Sequence, residues 1–198
     1  INRAVGMFAV HNNQLIGNTF EGFGHAIFAV GEGFDLNNQW IDNTFRHYLE
    51  DAMFVQAQQG ALIKGNRFID FQGTGTTVAA CSLRAHRNIT VEGNRVLGAI
   101  PRYAFNLFDF DNHVSGPNRI INNDVTGFTT TTITSATAIR QCYVITGFQN
   151  ANISPVNIKD QYDFIHNTAY LGVNSGSSST LQALLSISGG SDALPSID

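Results

Sequence analysis

The chain has 198 residues, of which 13% are charged, with 15 acidic against 11 basic side chains and a formal net charge of -4. That length suits one domain with a sizeable core, and an acidic balance with thinly spread basic residues excludes a binder of phosphate backbones, so no nucleic acid is expected. No apolar stretch reaches the length of a membrane span, so no membrane insertion is expected either.

Ala4–Val10 already reads as a strand, and the chain starts just before it with Ile1 in place of an initiator Met. Solenoids need a polar cap at each end, and none is visible here, which reads as a fragment, a processed chain or an end covered by something else. A repeat follows. Asn18-Thr19-Phe20, Asn43-Thr44-Phe45, Asn66-Arg67-Phe68, Asn94-Arg95-Val96 and Asn123-Asp124-Val125 are spaced by 25, 23, 28 and 29 residues, and a weaker copy, Asn167-Thr168-Ala169, comes 44 residues later. Five residues after each of the first five Asn stands Phe23, Tyr48, Phe71, Ala99 or Phe128. One column of Asn beside two registered apolar columns is the mark of a solenoid.

Within a turn, Gln14–Ile16 reads as a short strand with Ile16 inward, Asn18 as a left-handed corner, and Thr19–Glu21 as a second strand with Phe20 inward. Gly65 and Gly93, just before Asn66 and Asn94, supply a second strained position. A third strand begins at 26, 52, 78 and 104, a constant step of 26. The predicted fold is all-β, a right-handed parallel β-helix of six to seven turns with three short strands per turn, over residues 1–173. The step of 44 accommodates a hidden turn, or one turn with a loop inserted near Asn150–Pro155. Residues 174–198 read as a Ser/Gly-rich linker followed by a capping or oligomerisation segment.

On the ladder Asn18, Asn43, Asn66, Asn94, Asn123 and its apolar flanks, residues 4–173 resemble the pectate-lyase-like superfamily of right-handed parallel β-helices. Low charge and Gly/Ser/Thr/Asn richness are most similar to a piece of a bacteriophage tailspike or fibre. The resemblance implies a module that binds, and in its fuller form depolymerises, a bacterial surface polysaccharide, on a virion surface or outside the cell; the uncapped start, the outward Phe column and the separate C-terminal segment point to a homotrimer. It leaves open a non-catalytic structural virion or fibre protein, and a secreted polysaccharide lyase or uronate epimerase. No catalytic motif of that superfamily is matched, and fold alone does not assign an activity.

The step of 26 aligns His25, Asp51, Thr77 and Tyr103, and beside them Gly24, Glu50, Thr76 and Arg102. An acid–base group is expected from these: Asp51 or Glu50 as acid or base, His25 as proton-transfer partner, Arg102 to neutralise an anionic sugar, Tyr103 to orient it. The plainer reading is an exposed turn with ordinary ion pairs. Asp109 and Asp111, two residues apart, form a second candidate pair suited to a hydrolase. Phe28 and Phe54 are expected to face outward as an interface or a sugar platform, and Trp40 to present its indole outward in the same capacity. The two Cys lack a CxxC partner and the His residues lack metal-ligand spacing, so neither a metal site nor a cofactor is expected. Cys81 is expected to be a small buried apolar residue.

Overall fold

The computed structural model describes residues 3–73, 78–109, 117–128, 140–147, 162–172 and 182–188, and among these described residues there are nineteen strands and no helix. A first strand, β1 (Arg3–Phe8), precedes a series of triplets. These are β2 (Gln14–Ile16), β3 (Thr19–Glu21) and β4 (His25–Leu36), then β5 (Gln39–Ile41), β6 (Thr44–Arg46) and β7 (Met53–Gln59). Next come β8 (Leu62–Lys64), β9 (Arg67–Ile69) and β10 (Ala79–Arg87), then β11 (Thr90–Glu92), β12 (Arg95–Ala99) and β13 (Tyr103–Asp109). The C-terminal strands are β14 (Asn118–Ile121), β15 (Asp124–Phe128), β16 (Arg140–Gly147), β17 (Tyr162–Ile165), β18 (Thr168–Gly172) and β19 (Gln182–Ser188).

Strands three apart in sequence pair in parallel, so each turn gives one strand to each of three sheets. Sheet A holds β1, β4, β7, β10, β13, β16 and β19; sheet B holds β2, β5, β8, β11, β14 and β17; sheet C holds β3, β6, β9, β12, β15 and β18. The protein is a parallel β-solenoid. The regular turns number about four, from Gln14 to Asp109, rather than six to seven. Beyond them β14–β19 prolong the same sheets, but with longer stretches between strands that lie outside the described residues. Asn123 bonds directly to Asn167, so the step of 44 holds no further Asn rung. In the expected C-terminal segment, β19 runs parallel to β16 as a strand of sheet A.

The corner between sheets B and C explains the Asn repeat. Each ladder Asn sends its backbone N–H and its side-chain Nδ2–H to the Oδ1 of the next, as Asn66 does to Asn94 at 2.9 and 3.0 Å. Its Nδ2 also donates to a carbonyl of the preceding turn, Trp40 O at 2.8 Å for Asn66. The left-handed residue is not the Asn itself but the one before it: Gly17, Asp42, Gly65, Gly93, Asn122 and His166 all have φ between 50 and 69°. That turn resets the in/out alternation, which is why Ile16 points out while Leu15 and Phe20 point in. Inside, Phe20, Phe45 and Phe68 stack with centroids 5.3 and 4.9 Å apart, continued by Val96 and Val125. Tyr48 and Phe71 pack with tilted rings, centroids 5.6 Å apart, in a second column beside them.

Sheet A departs from the constant step. Ile27 pairs with Met53, Met53 with Cys81 and Cys81 with Phe105, so the third strand of this series lies two residues later than expected. Ala26, Ala52, Ala80 and Ala104 make a small-residue column in the core. Cys81 is buried as expected, and burial, with Asp51 nearby, raises its thiol well above the ordinary range.

Candidate functional site

The corner from sheet C to sheet A gathers three of the five expected acid–base residues. His25 opens β4, and Glu50 and Asp51 lie just before β7 in the next turn. His25 Nε2 is 3.0 Å from Glu50 Oε2, and its Nδ1 donates to the Asp51 carbonyl at 3.1 Å. Both ring nitrogens therefore face oxygen acceptors. The Asp51 carboxylate turns the other way, where its Oδ1 accepts the Ala79 N–H at 2.5 Å, at the start of β10. Asp51 is 8% exposed. Burial pushes its carboxyl up, to about 6, against the opposing pull of the Ala79 N–H, His25 and Arg84 and with a further push from Glu50.

Tyr103 pairs with Ala79, so it stands two strands from Asp51, and Arg102 lies over the Tyr103 ring at 5.0 Å. The two-residue shift of β10 puts Ala79 in the column with Tyr103. Arg84 takes the cationic place near Asp51 that Arg102 was expected to fill. Asp109 ends β13, but its side chain, like the whole of Asp111, lies outside the described residues, as do Thr76 and Thr77.

Phe28 and Phe54 do face outward on sheet A, stacked with centroids 5.0 Å apart. Arg3 covers the free face of Phe28 at 3.5 Å, and Arg84 sits 4.9 Å from the Phe54 centroid. A sugar platform needs an open ring face. Here the faces are taken by the neighbouring ring and a guanidinium, so the pair works as a cation–π ladder that ties β1, β4, β7 and β10 together. Trp40 corrects its expectation fully: it lies in the inward column between Leu15 and Ile63 and is wholly buried, with its Nε1–H unpartnered. It is unavailable to a ligand on the surface.

Two polar groups went unread in the sequence. At the corner from sheet A to sheet B, buried Asp35, Gln58 and Asn38 form a hydrogen-bonded chain, Gln58 Nε2 to Asp35 at 3.3 Å and Asn38 Nδ2 to Gln58 Oε1 at 2.8 Å. His86 shares the Gln58 column and meets Tyr162 Oη at 2.9 Å; burial lowers its pKa to about 3. The second group is the outer face of sheet C, where Thr19, Thr44, Arg67, Arg95, Asp124 and Thr168 stand in register on successive strands. Tyr170, 68% exposed, ends the parallel column that begins with Glu21 and Arg46. Each residue of the first column directly follows a ladder Asn, so the repeat itself marked it.

No cluster of three or more His, Cys, Asp or Glu suited to a metal ion occurs among the described residues. No family model, curated protein or solved structure matches the chain. The class rests on the fold: a parallel β-solenoid with a polar outer strip on one sheet and a small acid–imidazole group at the adjoining corner.

Proposed function

We propose that this β-solenoid is a polysaccharide-recognising module whose binding face is the outside of sheet C. The observation that carries this reading is the unbroken polar column Thr19, Thr44, Arg67, Arg95, Asp124, Thr168. Rungs ~4.8 Å apart offer hydroxyl, guanidinium and carboxylate groups at one repeating interval. A polymer of repeating, hydrogen-bonding units can meet several of them at once and gain avidity from the number of contacts. Tyr170 adds an exposed ring with which a sugar can stack. A role on a virion surface or outside the cell, tailspike-like and as a homotrimer, belongs to this proposal and is checked by light scattering of the full chain. The test of binding is co-sedimentation with a panel of insoluble and gel-forming polysaccharides, comparing the wild type with Tyr170→Ala. Retention of the wild type and its loss in the variant support the face; no retention on any polymer removes the reading and leaves a structural solenoid.

Depolymerisation is the second reading, favoured by one observation: Asp51, whose carboxyl burial pushes up to about 6, lies beside the His25–Glu50 pair. An acid poised there suits proton transfer to a glycosidic oxygen. Its carboxylate is engaged by Ala79 and nearly closed to solvent, so binding without catalysis is the better-supported reading.

A further inference from the structure

Arg67 and Arg95 project from adjacent strands of sheet C in direct register, and Arg46 lies on the same face one strand before Arg67. Like charges set directly opposite each other weaken a sheet. This chain has few basic residues and an overall negative charge, so the juxtaposition is not a by-product of a basic surface. It is neutralised only at its Arg95 end. Asp124 takes one edge of Arg95, Nη2 to Oδ2 at 3.5 Å, while its Oδ1 accepts the hydroxyls of Thr126 and Thr168 at 3.0 and 2.9 Å. That carboxylate is held in place and does not reach Arg67. Glu21, the register neighbour of Arg46, contacts His47 Nδ1 at 3.1 Å. Neither Arg46 nor Arg67 makes an ion pair with any described residue.

We infer that Arg46, Arg67 and Arg95 form a recognition site for an acidic polysaccharide, whose carboxylate or sulfate groups enter between the guanidiniums. The inference rests on the reading of sheet C as the glycan face and adds the charge of its ligand. A guanidinium presents a planar fork that matches a carboxylate or sulfate with two hydrogen bonds, and an anion between two such forks offsets the repulsion between them. Ile69 and Leu97, which continue the Arg46 column, give the sugar ring an apolar strip between charged contacts.

The test is binding of the full chain to polygalacturonate, dextran sulfate and uncharged dextran, in low and in moderate salt, for the wild type and for a doubly substituted Arg67→Gln, Arg95→Gln protein. Expected is binding to one or both charged polymers, weakened by salt, and reduced roughly 10-fold or more in the variant. The two charged polymers separate carboxylate from sulfate recognition. Equal binding to dextran, untouched by the substitutions, overturns the acidic ligand while leaving the polysaccharide reading standing. Binding to none of the three overturns both. Should the Gln variant unfold, Arg67→Lys with Arg95→Lys keeps the charge and loses the fork; binding unchanged in that protein overturns the site.

Discussion

The corner between sheets B and C and the corner between sheets C and A are built on opposite principles. At the first, the Asn residues from Asn18 to Asn167 are joined throughout by one pattern, backbone N–H and side-chain Nδ2–H to the Oδ1 of the next. At the second, every turn is different: His25 in one, Glu50 and Asp51 in the next, Ala79 and then Tyr103. A solenoid is stabilised by the nearest-neighbour fit of its turns, so repetition is the sign of structure. The unrepeated corner holds a buried carboxyl with a perturbed acidity, which the scaffold does not need from turn to turn. Perturbed groups concentrate where chemistry or binding is done, though ion-pair networks produce them as well.

The comparison breaks most visibly in the repeated part. Phe45 is fully buried between Phe20 and Phe68. Phe45→Ala should cost ~3–5 kcal/mol, read from urea unfolding, because the stack above and below cannot close over the gap. Asn66→Ala follows at ~2–4 kcal/mol. It strips the acceptor from Asn43 N–H and Nδ2–H and the donor from Trp40 O, all within the buried ladder. If Asn66→Ala unfolded with the wild-type midpoint, the ladder would be decoration and the contrast between the corners would fall.

The unrepeated corner responds to pH instead. The folded-state pKa of Asp51, about 6, is above its ordinary value of 3.8, so its contribution is fully present below pH ~4 and is lost as pH rises through ~6. His86 has the opposite sign: its folded pKa, about 3, is below 6.5, so its contribution is present above pH ~6.5 and is lost on acidification. The two slopes oppose each other between pH ~4 and ~6. Asp51→Asn keeps an acceptor for the Ala79 N–H and removes one slope. Its stability should exceed the wild type's by ~1–3 kcal/mol at pH 7, and it should lose stability faster than the wild type on going from pH 6 to pH 4. Parallel pH dependence in the two proteins would show that Asp51 is not held as the structure has it.

Much of the fold was legible, since a register of one Asn and two apolar columns has few solutions other than stacked turns. What was misread follows from how alternation works. A slip of two residues keeps every side chain on its proper face, so the pattern of β10 does not betray that Cys81, rather than Ala79, pairs with Met53. Trp40 and Ile16 were inverted because alternation was carried straight through a corner where Gly17 and Asp42 take left-handed φ. The candidate site was half legible: His25, Glu50 and Asp51 meet across one turn boundary, whereas Arg102 and Tyr103 fall outside because they lie beyond the shifted strand. The polar strip of sheet C stands one residue after each Asn, but its residue type changes among Thr, Arg and Asp from turn to turn, so only the apolar position after it shows as a repeat.

The smallest expected effect separates a surface kept for the fold from one kept for a ligand. Arg67 is exposed, lies between Thr44 and Arg95 in its column and makes no ion pair with a described residue. Arg67→Thr puts a β-branched residue, favourable in a strand, where a cation now faces another cation. The folded state loses a repulsion and no ion pair, so stability should rise by ~0.2–1 kcal/mol, with the gain shrinking as salt screens the pair. The measurement is a pair of urea unfolding curves at low and moderate salt. A rise at low salt that fades at moderate salt, in a protein that has lost its hold on acidic polymers, would mean that the stacked arginines weaken the solenoid and serve what it binds. A fall of ~1 kcal/mol or more would mean that Arg67 holds the sheet together, and the outer face of sheet C would then belong with the Asn corner as structure.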